Sequence, residues 1–198
     1  ADNDRFVREW FEVSSEKCIM NAKSKEEVIQ NNKKWVSYNK GGKYRKWYGN
    51  IENVVNWEND GYEIKNFSDS KGKIRSTVPN TEFYFRECGT WSKISSGKIA
   101  FRYRPVGSIF DVAGACMYSE SDLLFYIAFC NSKVAMLILE VLSPTLNYEG
   151  SHIAALPVES QQVDNPEIEM KATECVEISK EDWDAFETSC DFKRHPLI

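Results

Sequence analysis

"KWVSYNKGGKYRKWYGN", residues 34–50, alternates flat rings with cations and breaks once, at a pair of glycines. On a strand, alternate residues share a face, so the stretch reads as two strands, 34–38 and 43–48. Asn39-Lys40-Gly41-Gly42 between them is a hairpin-type turn. Outward from this hairpin, residues 54–57 (VVNW) suggest a further strand, and a short helix runs through Ile64 and Phe67. Upstream, SKEEVIQNN (24–32) predicts a helix capped by Ser24, with Glu26 and Glu27 favouring its N-terminal dipole. Phe6, Trp10 and Phe11 follow a helical spacing, and Val13 begins a strand. Residues 68–80 (SDSKGKIRSTVPN) are loop chemistry.

Downstream, 90–95 and 98–104 (KIAFRYR) alternate as strands, Pro105-Val106-Gly107 turns the chain, and 108–112 returns. Ser119 or Ser121 caps a helix over 122–130, and Asn131-Ser132 ends it and caps a second over 133–142. Pro144 stops that helix. HIAALPV (152–158) reads as a last strand before an acidic tail. Strands and helices mix without a βαβ rhythm, which predicts an α+β (mixed α/β) fold. One main domain is expected over 1–158, with 159–198 as an acidic linker or extension.

Of the 198 residues, 42% are apolar and 13% aromatic, enough for a core. No basic region followed by an apolar run marks a signal peptide. The most apolar window, 123–142, holds Asn131, Ser132, Lys133 and Glu140 and is too polar in its middle for a membrane span, so it is read as buried helix. The six cysteines form no C-x-x-C pair and the two histidines stand apart, which argues against metal and for free thiols in a cytoplasmic protein.

The net charge of −5 hides an asymmetry. Residues 159–191 carry eleven acids against two lysines, whereas 30–110 carry fifteen Lys and Arg against seven acids. Such a basic region is what a polyanion meets. The chain has no G-x-G-x-x-G, no G-x-x-x-x-G-K-[ST] and no H-E-x-x-H. Asp60 with Glu63-Ile64-Lys65 carries the residue types of a metal-dependent nuclease. The two acids stand only three residues apart, however, and the plainer reading is a solvated helix entry.

The blocks DNDRFVREWFEV, YNKGGKYRKWYGN, VVNWENDGYEIKNF and NTEFYFRECGTWSKISSGKIAFRYRPVGSIFDVAG resemble the C-terminal half of large bacterial adenine-specific DNA methyltransferases. These include the PglX-like enzymes of BREX phage-defence systems and related single-chain restriction-modification enzymes. The resemblance continues through NSKVAMLILEVLSPTLNYEGSHIAALPV and ISKEDWDAFETSCDFKRHPLI, nearly the whole chain. It implies a target recognition domain of mixed α/β type, similar to those of type I specificity subunits. The S-adenosylmethionine loop and the N-P-P-Y-type motif of the family lie in a preceding methyltransferase domain and are absent here. The chain begins just after the family's glycine-rich lead-in and stops where the family continues into helical sequence, so a piece of a longer protein, inactive alone, is expected.

The resemblance implies double-stranded DNA as partner, together with the methyltransferase domain and other defence-system subunits, and no cofactor or metal in this chain. A recognition domain grips phosphates and touches base edges. Lys40, Lys43, Arg45 and Lys46 supply charge for the grip, and Gly41 and Gly42 allow close backbone approach. Lys98, Arg102 and Arg104 lie in an acid-free window, with both arginines on one strand face suited to bidentate base contacts. They can equally be solvent-facing partners of an apolar sheet. Arg75, in the 68–80 loop, is a further candidate. Trp47 and Tyr48 are core or contact surface. The alternative functions are a protein-docking module of a defence complex, or the nuclease.

Overall fold

The fold is mixed α/β, and the computed structural model describes residues 2–95, 97–159, 163, 165–195 and 197–198. Its contacts separate into two compact units. The first comprises residues 1–39, 51–86 and 105–109, the second 40–50, 87–104 and 110–198. The borders fall within the basic stretch and around the later strands.

In the first unit, α1 (Asn3–Phe6) leads into β1 (Val7–Glu9). Helical spacing of the opening aromatics predicted more helix; instead Trp10–Glu12 is one 3-10 turn, closed by a reciprocal Glu9–Glu12 capping box. β2 (Cys18–Ile19) precedes α2 (Lys25–Gln30), whose Ser24 cap accepts from the Glu27 amide at 3.3 Å, as expected. β3 (Trp35–Asn39) and β4 (Asn53–Asn56) pair antiparallel with Val36 opposite Val55. The sheet runs β1-β4-β3-β2, with β2 parallel to β3 and β7 (Ile109–Phe110) also beside β3. Phe6, Val28, Val36, Val54 and Trp57 are buried in it.

Helix α3 (Glu58–Lys65) opens on a left-handed turn, Asn59 to Gly61, with φ of 51°, 57° and 71°. Lys65 Nζ pairs with Asp60 at 2.7 Å, and Glu63 accepts from Asn56 Nδ2 at 2.6 Å. The acids weighed for a nuclease are thus held by separate partners. Among the described residues, no group of three or more His, Cys, Asp and Glu converges on a metal position.

The second unit is built on an antiparallel sheet, β6 (Arg102–Arg104), β5 (Cys88–Ser92) and β8 (Gly114–Met117). Helices α4 (Leu123–Cys130) and α5 (Lys133–Leu142) are bent by 69° at Asn131-Ser132. Ser132 caps α5 through the Ala135 amide. Asn131 explains the break further. Its side chain accepts from Phe101 N at 3.1 Å and donates to Phe101 O at 2.9 Å, taking the place of a neighbouring strand. Trp91, Phe101, Ile127, Ala135 and Leu139 form the core, and Trp91 Nε1 donates to Tyr148 O. Among the described residues no single helix is long and apolar enough to cross a membrane.

One expectation fails here, and one element had no signal read from the sequence. Residues 152–158 are not a strand: α6 (Gly150–Ala154) forms, because Glu149 and His152 cap one another's backbone. The acidic stretch beyond Val158 carries a long helix, α7 (Pro166–Asp184), started by Asn165 and Pro166 and packed on α4 within the same unit.

Candidate nucleic-acid interface

The hairpin predicted over 34–48 does not form. β3 ends at Asn39, and residues 40–50 run as a loop in the second unit. Local backbone explains the difference. Within the expected second strand, 43–48, Trp47 (φ 70°) leaves the extended region, and Gly49 (φ 121°) and Asn50 (φ 58°) do so just beyond it, so no continuous strand runs on from there. Only Trp47 pairs like a strand residue: its amide donates to Phe101 O at 2.9 Å and its carbonyl accepts from Tyr103 N at 2.7 Å.

Three groups of side chains hold this loop. The first is Ser92 on β5. Its hydroxyl accepts from Gly42 N at 3.0 Å and donates to Gly42 O at 2.8 Å. The backbone sits so close that a Cβ at Gly41 would stand 2.9 Å from Ala113 O, and the positive φ disfavours any other residue there.

The second group is Arg102 and Arg104 on β6, and here the sequence reading needs correction. Both were expected at the surface as base-reading arginines; both are buried, each 1% exposed. Arg102 Nη1 donates to Arg45 O at 3.3 Å and Nη2 to Ser92 Oγ at 3.4 Å. Arg104 Nη1 donates to Asn50 O at 3.1 Å, while Asn50 Nδ2 donates to Lys43 O at 2.9 Å. The alternation did put both arginines on one face, but that face is covered by the loop. Burial, reinforced by Arg104 beside it, lowers the Arg102 guanidinium to about 10, so it stays charged at neutral pH. Burial likewise lowers Arg104.

The third group is on α7. Arg45 Nη2 bonds Asp182 Oδ2 at 2.6 Å and Ser179 O at 3.1 Å, and its guanidinium lies over Trp183, 5.2 Å from the ring centroid. Ser179 Oγ donates to the carbonyls of Lys46 and Tyr48. Arg45 is therefore engaged with the acidic helix, and Tyr48 is core.

What the loop leaves outward is lysine. Lys40, Lys43 and Lys98 are exposed. Lys46 is half-buried, donates to Asn131 O at 2.9 Å, and is held below the ordinary lysine range by burial and by the charge of Lys98. None of the four has a carboxylate within 4.0 Å among the described residues, whereas nearby Lys93 pairs with Glu149 at 2.9 Å. Arg75 belongs to the first unit, where its Nε stands 3.4 Å from Asp69. Sequence reasoning missed Ser92, Ser179 and Asp182, because nothing local marks a serine on a strand or an acid on a helix as a loop anchor. Asn50 after Gly49 did carry a turn signal.

No protein-family model matches the chain. It is similar over its whole length to the adenine-specific methyltransferase PglX of Lacticaseibacillus casei (strain Zhang), 40% identical over 201 residues. It is also similar to the adenine-specific methyltransferase BrxX of Escherichia coli O9:H4 (strain HS), 36% identical over 199 residues that make up 98% of the chain. The chain spans 16% and 15% of the length of these two relatives.

Proposed function

The chain is homologous over its whole length to one region of the adenine-specific methyltransferases PglX and BrxX, and from that premise we propose that it is their DNA-recognition region. In the intact enzyme a separate region would bind S-adenosylmethionine and transfer its methyl group to the adenine exocyclic amine. This chain would supply specificity and no catalytic atom, in the bacterial cytoplasm. Residues 1–158 carry the recognition role in this reading, with 159–198 adjoining them.

The observation that carries the reading is the set Lys40, Lys43, Lys46 and Lys98. In an acidic chain, these cations have no carboxylate partner among the described residues and lie on or beside a loop held by Ser92 and by the buried Arg104. A preorganised cationic loop loses little entropy on meeting phosphates and releases their counterions. Gly42 leaves the backbone of that loop exposed, while Gly41 is buried against Ala113. Arg102, Arg104 and Arg45 act one step back, holding it. Base edges are then left to other side chains, of which Arg75 in its exposed loop is a candidate.

Fluorescence anisotropy of a labelled mixed-sequence duplex, titrated at several salt concentrations, tests this. Binding should weaken steeply with salt. A Lys43→Ala/Lys98→Ala variant should lower affinity and flatten the log–log slope by roughly 0.9 for each phosphate that is no longer neutralised. A folded chain that shows no salt-dependent duplex binding, alone or within the full-length enzyme, overturns the reading.

A further inference from the structure

Helix α5 is apolar on nearly every side: its sequence is KVAMLILEVL. Ala135 and Leu139 are buried, 0% and 1% exposed, on the side facing the unit's own core. Val134, Leu137 and Val141, spaced three and four apart, form a second stripe and are 64%, 65% and 77% exposed. Ser143, Thr145 and Asn147 then turn the chain, and the turn carries exposed Leu146; the adjoining bridge of Asn147 to Ile94 holds a further exposed apolar side chain. A helix that is hydrophobic all round is normally covered all round, and a clustered apolar stripe on a folded unit marks a contact surface.

We infer that this stripe is the seat of another segment of the same polypeptide, outside these 198 residues. Two facts select that occupant. In both relatives the matched region is at most 16% of the length, so most of such a polypeptide lies elsewhere in its sequence. The stripe is also short. Stable dimers bury roughly 800 Å² per partner, more than one face of a three-turn helix offers. A segment joined by the chain itself has a high effective concentration and needs less area. A membrane is disfavoured because Lys133 and Glu140 flank the stripe and α4, the other half of the bent apolar pair, buries Leu123, Phe125 and Ile127 in its own unit. The inference does not depend on DNA binding.

Hydroxyl-radical footprinting read by mass spectrometry tests it on two proteins as they exist: the 198-residue chain and the full-length Lacticaseibacillus casei relative. In the chain, Leu137 and Val141 should be oxidised like free exposed side chains. In the relative, the segment matching residues 133–142 should be oxidised several-fold more slowly. Equal oxidation overturns the inference. So does sedimentation that shows concentration-dependent self-association abolished by Leu137→Gln, or co-flotation of the chain with neutral phosphatidylcholine vesicles. Leu137→Gln/Val141→Gln in the chain should leave its melting temperature unchanged; a clear fall would mean that the stripe holds the unit's own fold, and would also overturn it.

Discussion

Arg45 and Asp182 are 137 positions apart in sequence, yet a guanidinium nitrogen of one lies 2.6 Å from a carboxylate oxygen of the other. The contact joins the most basic stretch of the chain to its most acidic one. It is part of a wider seat: Arg45 Nε also donates to Tyr48 O, and a Cβ at Gly49 would strike both Arg45 and the Trp183 ring. Arg45 is thus a keystone of the loop, not a free cation.

Arg45→Ala should therefore lower stability, by about 2 kcal/mol, because it removes several charge-assisted bonds at once. Asp182→Asn should cost less, about 1 kcal/mol or below, since Asp182 is well exposed. Urea denaturation of both variants, monitored by tryptophan fluorescence, measures the difference. An Arg45→Ala variant as stable as the parent, but weaker on DNA, would return Arg45 to the set of direct contacts.

The buried arginines and the exposed lysines should separate cleanly. Arg102→Ala or Arg104→Ala leaves Arg45 O or Asn50 O without that donor in a closed site, which costs about 3 kcal/mol or more. Lys43→Ala and Lys98→Ala should shift the melting temperature hardly at all, because their side chains are exposed and unpaired among the described residues. Thermal melts of the four variants, run beside the duplex titrations, distinguish a holding residue from a gripping one.

Ser92 is the smallest lever on the loop. Ser92→Ala removes both bonds to Gly42 and one from Arg102. The expected result is faster exchange of the Gly42 amide and weaker, still salt-dependent, DNA binding with the fold intact. Ser92→Thr, which keeps the hydroxyl, should restore much of both; amide exchange by NMR or mass spectrometry reads the first directly.

Cys130 gives a pH prediction. Burial pushes its thiol up from 9.0 to about 12. The unfolded thiol ionises first, so above pH 9.0 the folded state holds the extra proton. The stability from this group is present in full below 9.0 and is lost as pH rises toward about 12. At about pH 8 the native thiol should resist an aromatic disulfide reagent and react on unfolding. Cys130→Ser should remove this thiol's own share of the alkaline decline measured by urea titration, leaving that of the raised Cys88 and Cys18 thiols.

Much was determined by sequence alone. Ser24 and Ser132 cap the helices they were expected to cap, because a capping bond spans three residues and is local. The strand at 35–39, the break at Asn131-Ser132, the mixed α/β class and the kinship with adenine methyltransferases could all be read from neighbouring residues or from the order of blocks. Period two put Arg102 and Arg104 on one face. It could not say what covers that face, since burial depends on chain brought in from elsewhere. Only the tertiary structure decided that residues 40–50 lie over the two arginines, that positive φ at Trp47 interrupts the second strand, and that an acidic helix over 130 residues away takes Arg45 from the surface. Each of those outcomes rests on a long-range contact, and a desolvated cation must find its partners wherever the folded chain supplies them.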